Sequence, residues 1–146
     1  MAHEVPLADG WVISDDRARL DLTVVHRFLA GTYWARERPP AATERAIAGS
    51  LCLGLYAPDG AQAGFARIVT DYGVRAHLAD VFVLPAWRGH GFGQALVRAA
   101  LDHPDLAGIG LWSLATDDAH ALYAKFGFVV HPAPQTQMVL HRPPKG

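Results

Sequence analysis

Gly89, Gly91 and Gly93 alternate with Arg88, His90, Phe92 and Gln94, directly after the apolar run Val81-Phe82-Val83-Leu84 and a stop at Pro85. Glycine has no Cβ, so the backbone here can take unusual dihedrals and lie close to a ligand. From about Gly91 onward the residues are helix formers, with Leu96, Ala99 and Ala100 at helical spacing, and Pro104 closes the segment. The first amides of such a helix lack intrahelical partners, and its dipole places partial positive charge at the same end. A strand, a glycine turn and a helix in this order predict a site for phosphate or pyrophosphate.

The identity of that phosphate ligand is narrowed by what is missing. A nucleoside triphosphate loop ends in Gly-Lys-Ser/Thr, and no lysine lies in this turn. A dinucleotide fingerprint places its third glycine one residue later, where Gln94 stands. Other chemistries also lack their residues. There is no Gly-x-Ser-x-Gly elbow for a serine hydrolase and no His-Glu-x-x-His pair, and the eight histidines are scattered, so no metal site is expected.

A few side chains stand out against their surroundings. Asp80 interrupts the apolar strand Ala79 to Leu84, where an ionised carboxylate is costly unless paired or functional. It reads as either a proton acceptor or half of an ion pair with Arg67 or Arg75. Asp71, at a strand end, and His77 are further candidates for a base, and Thr70-Asp71-Tyr72-Gly73 is also ordinary turn chemistry. Tyr123 lies on a helix with Ala119, Leu122 and Phe126 forming an apolar stripe, which by itself reads as a core tyrosine. Cys52, in the apolar run Leu51 to Tyr56, reads as a buried small hydrophobe rather than a reactive thiol.

The elements that must position these residues follow from period and punctuation. Trp11 to Ser14 is a short strand. Asp21 caps a helix with Leu22, Val25, Phe28 and Leu29 on one side, ending at Gly31. Thr32 to Pro40 has no period and reads as a loop with Tyr33, Trp34, Arg36 and Arg38 at its surface. Thr43 is expected to cap a short helix, Glu44 to Ala48, ending at Gly49. Leu51 to Ala57 and Ala61 to Thr70 are strands joined through Pro58-Asp59-Gly60, a strong hairpin signal. A third strand runs to Leu84, covered on both faces. Ala107 to Ala115 reads as a strand, and Asp117 to Phe126 as a helix capped by Thr116 or Asp117. Phe128 to His131 and Thr136 to His141 read as a final strand pair, and Pro143-Pro144 ends regular structure. The fold class is therefore α/β or α+β, a mixed, mostly antiparallel sheet flanked by helices in one domain spanning 1–146.

Composition bounds the function. Charged residues are 18% of the 146, with 14 acidic against 13 basic and a formal net charge of −1. With no basic cluster, the electrostatic footprint of a nucleic-acid binder is absent. No apolar run approaches the roughly 18 residues of a membrane span, so no membrane partner is expected. One cysteine excludes an intramolecular disulfide and fits a reducing, cytoplasmic setting.

The segment Arg88 to Gly93 matches an arginine-or-glutamine, two residues, glycine, one residue, glycine-or-alanine signature, and Ala119, Tyr123, Gly127 and Phe128 follow at a fixed distance. In both motifs the chain resembles the GNAT superfamily of acetyl-CoA-dependent N-acetyltransferases, most densely from about Ser50 to Phe128. The resemblance implies acetyl-CoA as cosubstrate, its pyrophosphate held by backbone amides of Gly89, His90, Gly91, Phe92, Gly93 and Gln94 in the loop that Arg88 opens. It implies a pantetheine arm paired with Val81, Phe82 and Val83 like an added strand, with an amide there polarising the thioester carbonyl. Tyr123 aligns with the tyrosine that protonates the departing thiolate, and Asp80 with an acidic residue facing the acceptor amine. Thr116 stands where many members have an asparagine on the pantetheine arm, and no counterpart of the glutamate base of some members occurs in Leu111 to Ala115. Tyr33, Trp34 and Asp71 would face the amine-bearing substrate, although the Tyr33–Arg38 lip also reads as a helix connection or a contact in a homodimer. The implied reaction is direct attack of an amine on the thioester. The reading from another class is a non-catalytic acyl-CoA-binding regulatory module.

Overall fold

In the computed structural model, which describes residues 1–143, the chain forms β1 (Glu4–Pro6), β2 (Val12–Ser14), α1 (Leu22–Ala30), α2 (Pro40–Ala48), β3 (Leu51–Tyr56), β4 (Gln62–Thr70), β5 (Arg75–Val83), α3 (Phe92–Leu101), β6 (Leu111–Ser113) and α4 (His120–Ala124). The strands make one sheet in chain order, antiparallel from β1 to β5, with β6 parallel to β5 after the α3 crossover. Two compact units result, Met1–Ala115 and the segment from Thr116 on, and the whole sheet lies in the first. Pro144, half of the proline pair expected to end regular structure, lies outside the described residues.

Turn chemistry sets most boundaries as expected. Ala57 N–H donates to Ala61 C=O at 2.9 Å across the Asp59-Gly60 hairpin, and Gly60 takes the positive φ of 90° that the turn requires. Asp21 caps α1 by accepting from Val24 N–H at 3.2 Å. Arg17 donates to the carbonyls of Ile47 and Ser50, satisfying the end of α2 with a side chain from across the fold.

Register assigns the faces. Cross-strand partners share a face, so Cys52, Phe65, Arg67, Val69 and His77 lie on one side and Leu53, Ala66, Ile68 and Leu78 on the other. The first side is covered by α1 and α2: Val25, Leu29 and Ile47 pack with Cys52, Phe65 and Phe82, and Phe28 stacks on Phe82 at 4.1 Å. Helix α3 packs against β3, β4 and β5 with Leu96, Val97 and Ala100 buried, covering the second side.

Five expectations are corrected. α2 starts at Pro40, with Pro39 before it, because proline is well suited to the first helical position; Thr43 is buried one turn inside. β5 is not covered on both faces: Ala79, Val81 and Val83 are only half-buried, and a bulge changes which face is in the core. β6 is three residues: after the 3-10 turn at Pro104–Leu106 the chain continues through a turn, with Ile109 N–H donating to Leu106 C=O at 3.0 Å, and joins the ladder only at Leu111. α4 starts at His120, since Thr116 Oγ1 accepts from Ala119 N–H at 3.0 Å and holds the preceding residues in a turn. Phe128 to His131 and Thr136 to His141 join no ladder, and Pro134–Thr136 is a 3-10 turn. Their β-formers are expressed as strand only against a partner strand.

Candidate functional site

β5 is the axis of the site. Ala79 pairs with Arg67 and Phe82 with Phe65, so β5 carries one residue more than β4 in this interval. Asp80 lies in that bulge with φ 51°, in the left-handed region that aspartate tolerates better than most residues. The bulge reverses the alternation. Leu78 faces the α3 side, whereas Phe82 reaches the α1 side, and the Asp80 carboxylate meets Arg67.

Asp80 is 5% exposed and receives four donors. Arg67 Nε and Arg38 Nη1 donate to Oδ2 at 2.9 and 2.8 Å, and Trp34 Nε1 and Arg38 Nη2 donate to Oδ1 at 2.9 and 3.2 Å. Burial alone would push this carboxyl up, but the hydrogen bonds and charges of Arg38 and Arg67 outweigh it and hold the pKa below the usual carboxylate range. Such a group is a weak proton acceptor at neutral pH. The ion-pair reading of Asp80 is therefore what the geometry builds, with Arg67 as expected and with Arg38 as the second partner.

The β5–β6 ladder covers only Arg75↔Leu111, Ala76↔Trp112 and His77↔Ser113. Beyond His77 the two strands part, and among the described residues Leu78 to Val83 have β4 as their one ladder neighbour. The open edge leads into the glycine turn. Gly89 and Gly91 have φ of 84° and 79°, and a Cβ at either would meet no atom within 4 Å, so the backbone there is open to approach. Gly91 is the N-cap of α3, and the first intrahelical bond is Ala95 N–H to Gly91 C=O at 3.0 Å. The amides of Phe92, Gly93 and Gln94 precede it. An aromatic brace holds the turn: Trp11 packs on Trp87 at 4.8 Å and on Phe92 at 4.4 Å, and the His90 ring stacks on Phe92 at 5.8 Å. Arg88 Nε donates to Val83 C=O at 3.2 Å, tying the turn back to its strand. Among the described residues, the positive φ, the open approach, helix-start amides without an intrahelical partner and a strand edge without a ladder neighbour fit a pyrophosphate followed by an extended, amide-bearing arm.

The remaining candidates separate. Tyr33 and Trp34 pack edge to face at 5.1 Å, both partly exposed, in the lip between α1 and α2. Asp71 Oδ1 accepts from the backbone N–H of Gly73, Val74 and Arg75, which hold its carboxyl down at about 2; it builds the β4–β5 turn. His77 Nδ1 lies 2.8 Å from Ser113 Oγ. Its pKa is lowered by burial and then by the charge of Arg67. Cys52 is 3% exposed and burial pushes its thiol up to about 11. Thr116 and Tyr123 belong to the C-terminal unit, where Tyr123 is buried and packs edge to face on Phe128 at 5.9 Å. Arg38 carries more of the site than sequence reasoning assigned it; its signal was a basic residue in a loop with two aromatics. Ser113 had no signal beyond its strand.

Among the described residues no cluster of three or more His, Cys, Asp or Glu side chains is arranged for a metal ion, and no helix is long and apolar enough to cross a membrane.

A family profile for acetyltransferase (GNAT) domains matches residues 49–130, more than half of the chain, including β5, the glycine turn, α3 and α4. The chain belongs to the GNAT family of acetyltransferases. A solved structure from Xanthomonas campestris pv. campestris, described as belonging to the same family, is 46% identical and superposes with a TM-score of 0.86, covering 91% of this chain and 94% of the other. An inferred acetyltransferase of Gibberella zeae, FG08082, is 28% identical over 80% of this chain and 78% of its own length. A Deinococcus radiodurans structure at 20% identity and TM-score 0.69, covering 94% and 92%, shares the fold. This GNAT protein is thus an acyltransferase of the N-acetyltransferase type, in a family whose cosubstrate is acetyl-CoA.

Proposed function

We propose that this chain transfers the acetyl group of acetyl-CoA to a primary amine, of a small molecule or a peptide, by direct attack in a ternary complex. The observation that carries the reading is the continuity of the β5 edge beyond His77 with the glycine turn that opens α3. Acetyl-CoA supplies an acetyl group activated as a thioester.

The residues of the chain supply binding, alignment and polarity. The amides of Gly89 to Gln94 hold the pyrophosphate, favoured by the positive end of α3. The backbone of Val81, Phe82 and Val83 pairs with the pantetheine arm, and an amide there polarises the thioester carbonyl, a contribution typically of several kcal/mol in acyl transfer. Thr116 contacts the pantetheine arm. Tyr123 donates a proton to the leaving sulfur: a phenol with reference pKa of about 10 keeps its proton until a thiolate of about 8.5 forms. Tyr33, Trp34 and Asp71 border the amine side, with Asp80 setting the lip in place through Trp34 and Arg38. Cys52 is too buried and too weakly acidic to offer a covalent route, which supports direct attack. Alignment of amine and thioester then accounts for much of the acceleration.

The test is thermal unfolding with and without acetyl-CoA, then thiol release across a panel of amines and peptide N-termini with wild type and Tyr123→Phe. A raised melting temperature and amine-dependent release, reduced in Tyr123→Phe, is the expected result. A raised melting temperature with no release from any amine would favour a non-catalytic acyl-CoA-binding module, and no shift would remove the reading altogether.

A further inference from the structure

Beyond His77 the outer edge of β5 has no ladder neighbour among the described residues, and Val83 turns its backbone toward that edge. Leu84 N–H donates to Ala63 C=O at 2.8 Å, toward β4. In an antiparallel pair successive residues direct their N–H and C=O to opposite sides of the strand, so those of Val83 point away from β4. The chain then folds back: Trp87 N–H donates to Leu84 C=O at 2.9 Å and Arg88 N–H to Pro85 C=O at 3.3 Å, which brings the Arg88 side chain beside the edge the chain has just left. Arg88 Nε donates to Val83 C=O at 3.2 Å. Its Cζ lies 6.0 Å from the centre of the Phe28 ring, and that ring stacks on Phe82 of the same strand at 4.1 Å.

We propose that Arg88 is a positioning residue for acetyl-CoA: through the Nε–H bond to Val83 C=O it holds the strand edge that takes the pantetheine arm in register with the glycine turn that takes the pyrophosphate. This rests on the acetyl-CoA reading above. The two halves of the ligand are covalently joined, so each raises the effective concentration of the other only while edge and turn keep one spacing. Arg88 fixes that spacing by acting on Val83. Its charge is not what the ligand reads.

The chemistry of the side chain separates this role from a charge contact with the phosphates. Arginine and glutamine both carry an N–H on an ε nitrogen bonded to Cδ, at the same distance along the side chain, and only arginine adds a full positive charge. The signature matched by Arg88 to Gly93 admits either residue at its first position. In this chain the donor to Val83 is the atom the two residue types share. Phe28 supplies the second anchor, since the ring beside the guanidinium is itself fixed on β5 through Phe82.

Calorimetry on wild type, Arg88→Gln and Arg88→Met, with acetyl-CoA and with its nucleotide half alone, 3′-phosphoadenosine 5′-diphosphate, tests the proposal. Glutamine keeps the ε N–H and drops the charge; methionine drops both. Acetyl-CoA affinity is expected to stay within about threefold of wild type in Arg88→Gln and to fall about tenfold in Arg88→Met, the effect of losing one hydrogen bond. Affinity for the nucleotide half should be equal in all three, which also shows the glycine turn still folded. With the best amine of the panel, KM for acetyl-CoA should follow the affinities while KM for the amine stays constant. Arg88→Gln as weak as Arg88→Met, or a nucleotide half weakened in either variant, overturns the proposal in favour of a guanidinium that serves the phosphates. Unchanged acetyl-CoA affinity in Arg88→Met overturns it as well. Failure of the wild type to bind acetyl-CoA overturns the underlying reading instead.

Discussion

Trp34 and Asp80, 46 residues apart in the chain, are joined by an indole N–H to carboxylate hydrogen bond of 2.9 Å. With the two bonds from Arg38, it fastens the connection between α1 and α2 onto the bulge of β5. The carboxylate is the hub of this arrangement. Asp80→Asn keeps the shape and a residue type that tolerates φ 51°, but leaves Arg38 and Arg67 facing a neutral amide. Breaking one side of a buried ion cluster costs on the order of 3 kcal/mol. Urea unfolding is expected to show that loss, together with increased proteolysis between Thr32 and Pro39.

The same carboxylate sets an acid limit. Its folded pKa lies below the unfolded reference of about 3.9, so its contribution is complete above about pH 4 and is lost as pH falls through the folded value. Stability measured by urea from roughly pH 7 down to pH 3 should drop at the acid end in wild type and less in Asp80→Asn. Equal acid sensitivity in both would remove Asp80 as the cause.

Gly54 and Tyr56 share a face of β3, and the Tyr56 ring folds back over Gly54 so closely that a Cβ there would collide with it. The Tyr56 hydroxyl is buried with no hydrogen-bond partner among the described residues, and burial raises its pKa to about 12. Tyr56→Phe removes that unsatisfied group and should be neutral or stabilising by about 1 kcal/mol. Gly54→Ala should cost more than 2 kcal/mol or so, as overpacking does. In the double variant Gly54→Ala/Tyr56→Leu the two effects should be non-additive, since removing the ring removes the collision.

At Gly91 the backbone, not the space, forbids a side chain: φ is 79° and nothing lies within 4 Å. Gly91→Ala should therefore lower stability only by about 1 kcal/mol. Gly91→Glu adds a negative charge at the start of α3. Calorimetry should show acetyl-CoA affinity falling at least about tenfold in Gly91→Glu relative to Gly91→Ala. Equal affinities would argue against a pyrophosphate at this turn.

Cys52 should be silent toward alkylation in the native state. With its pKa near 11, its thiolate fraction at pH 8 is about two orders of magnitude below that of a free thiol. Iodoacetamide labelling should follow global unfolding, and Cys52→Ala should retain turnover.

Short-range chemistry was enough to determine much of this protein. The Asp59-Gly60 hairpin, the Asp21 cap, the Gly31 and Gly49 helix ends, and the strand, glycine turn and helix from Val81 onward all depend on neighbours within a few residues, so their residue types suffice. Two motifs at fixed spacing were likewise enough to point to the family. What only the tertiary structure decided depends on distant partners. One extra residue in β5 turns Asp80 toward Arg67 and lets Trp34 and Arg38 reach it from 46 and 42 positions away. The ladder with β6 stops at His77, pairing it with a serine 36 residues on. Strand-forming residues after Phe128 join no ladder, since a strand requires a partner that local propensity does not supply.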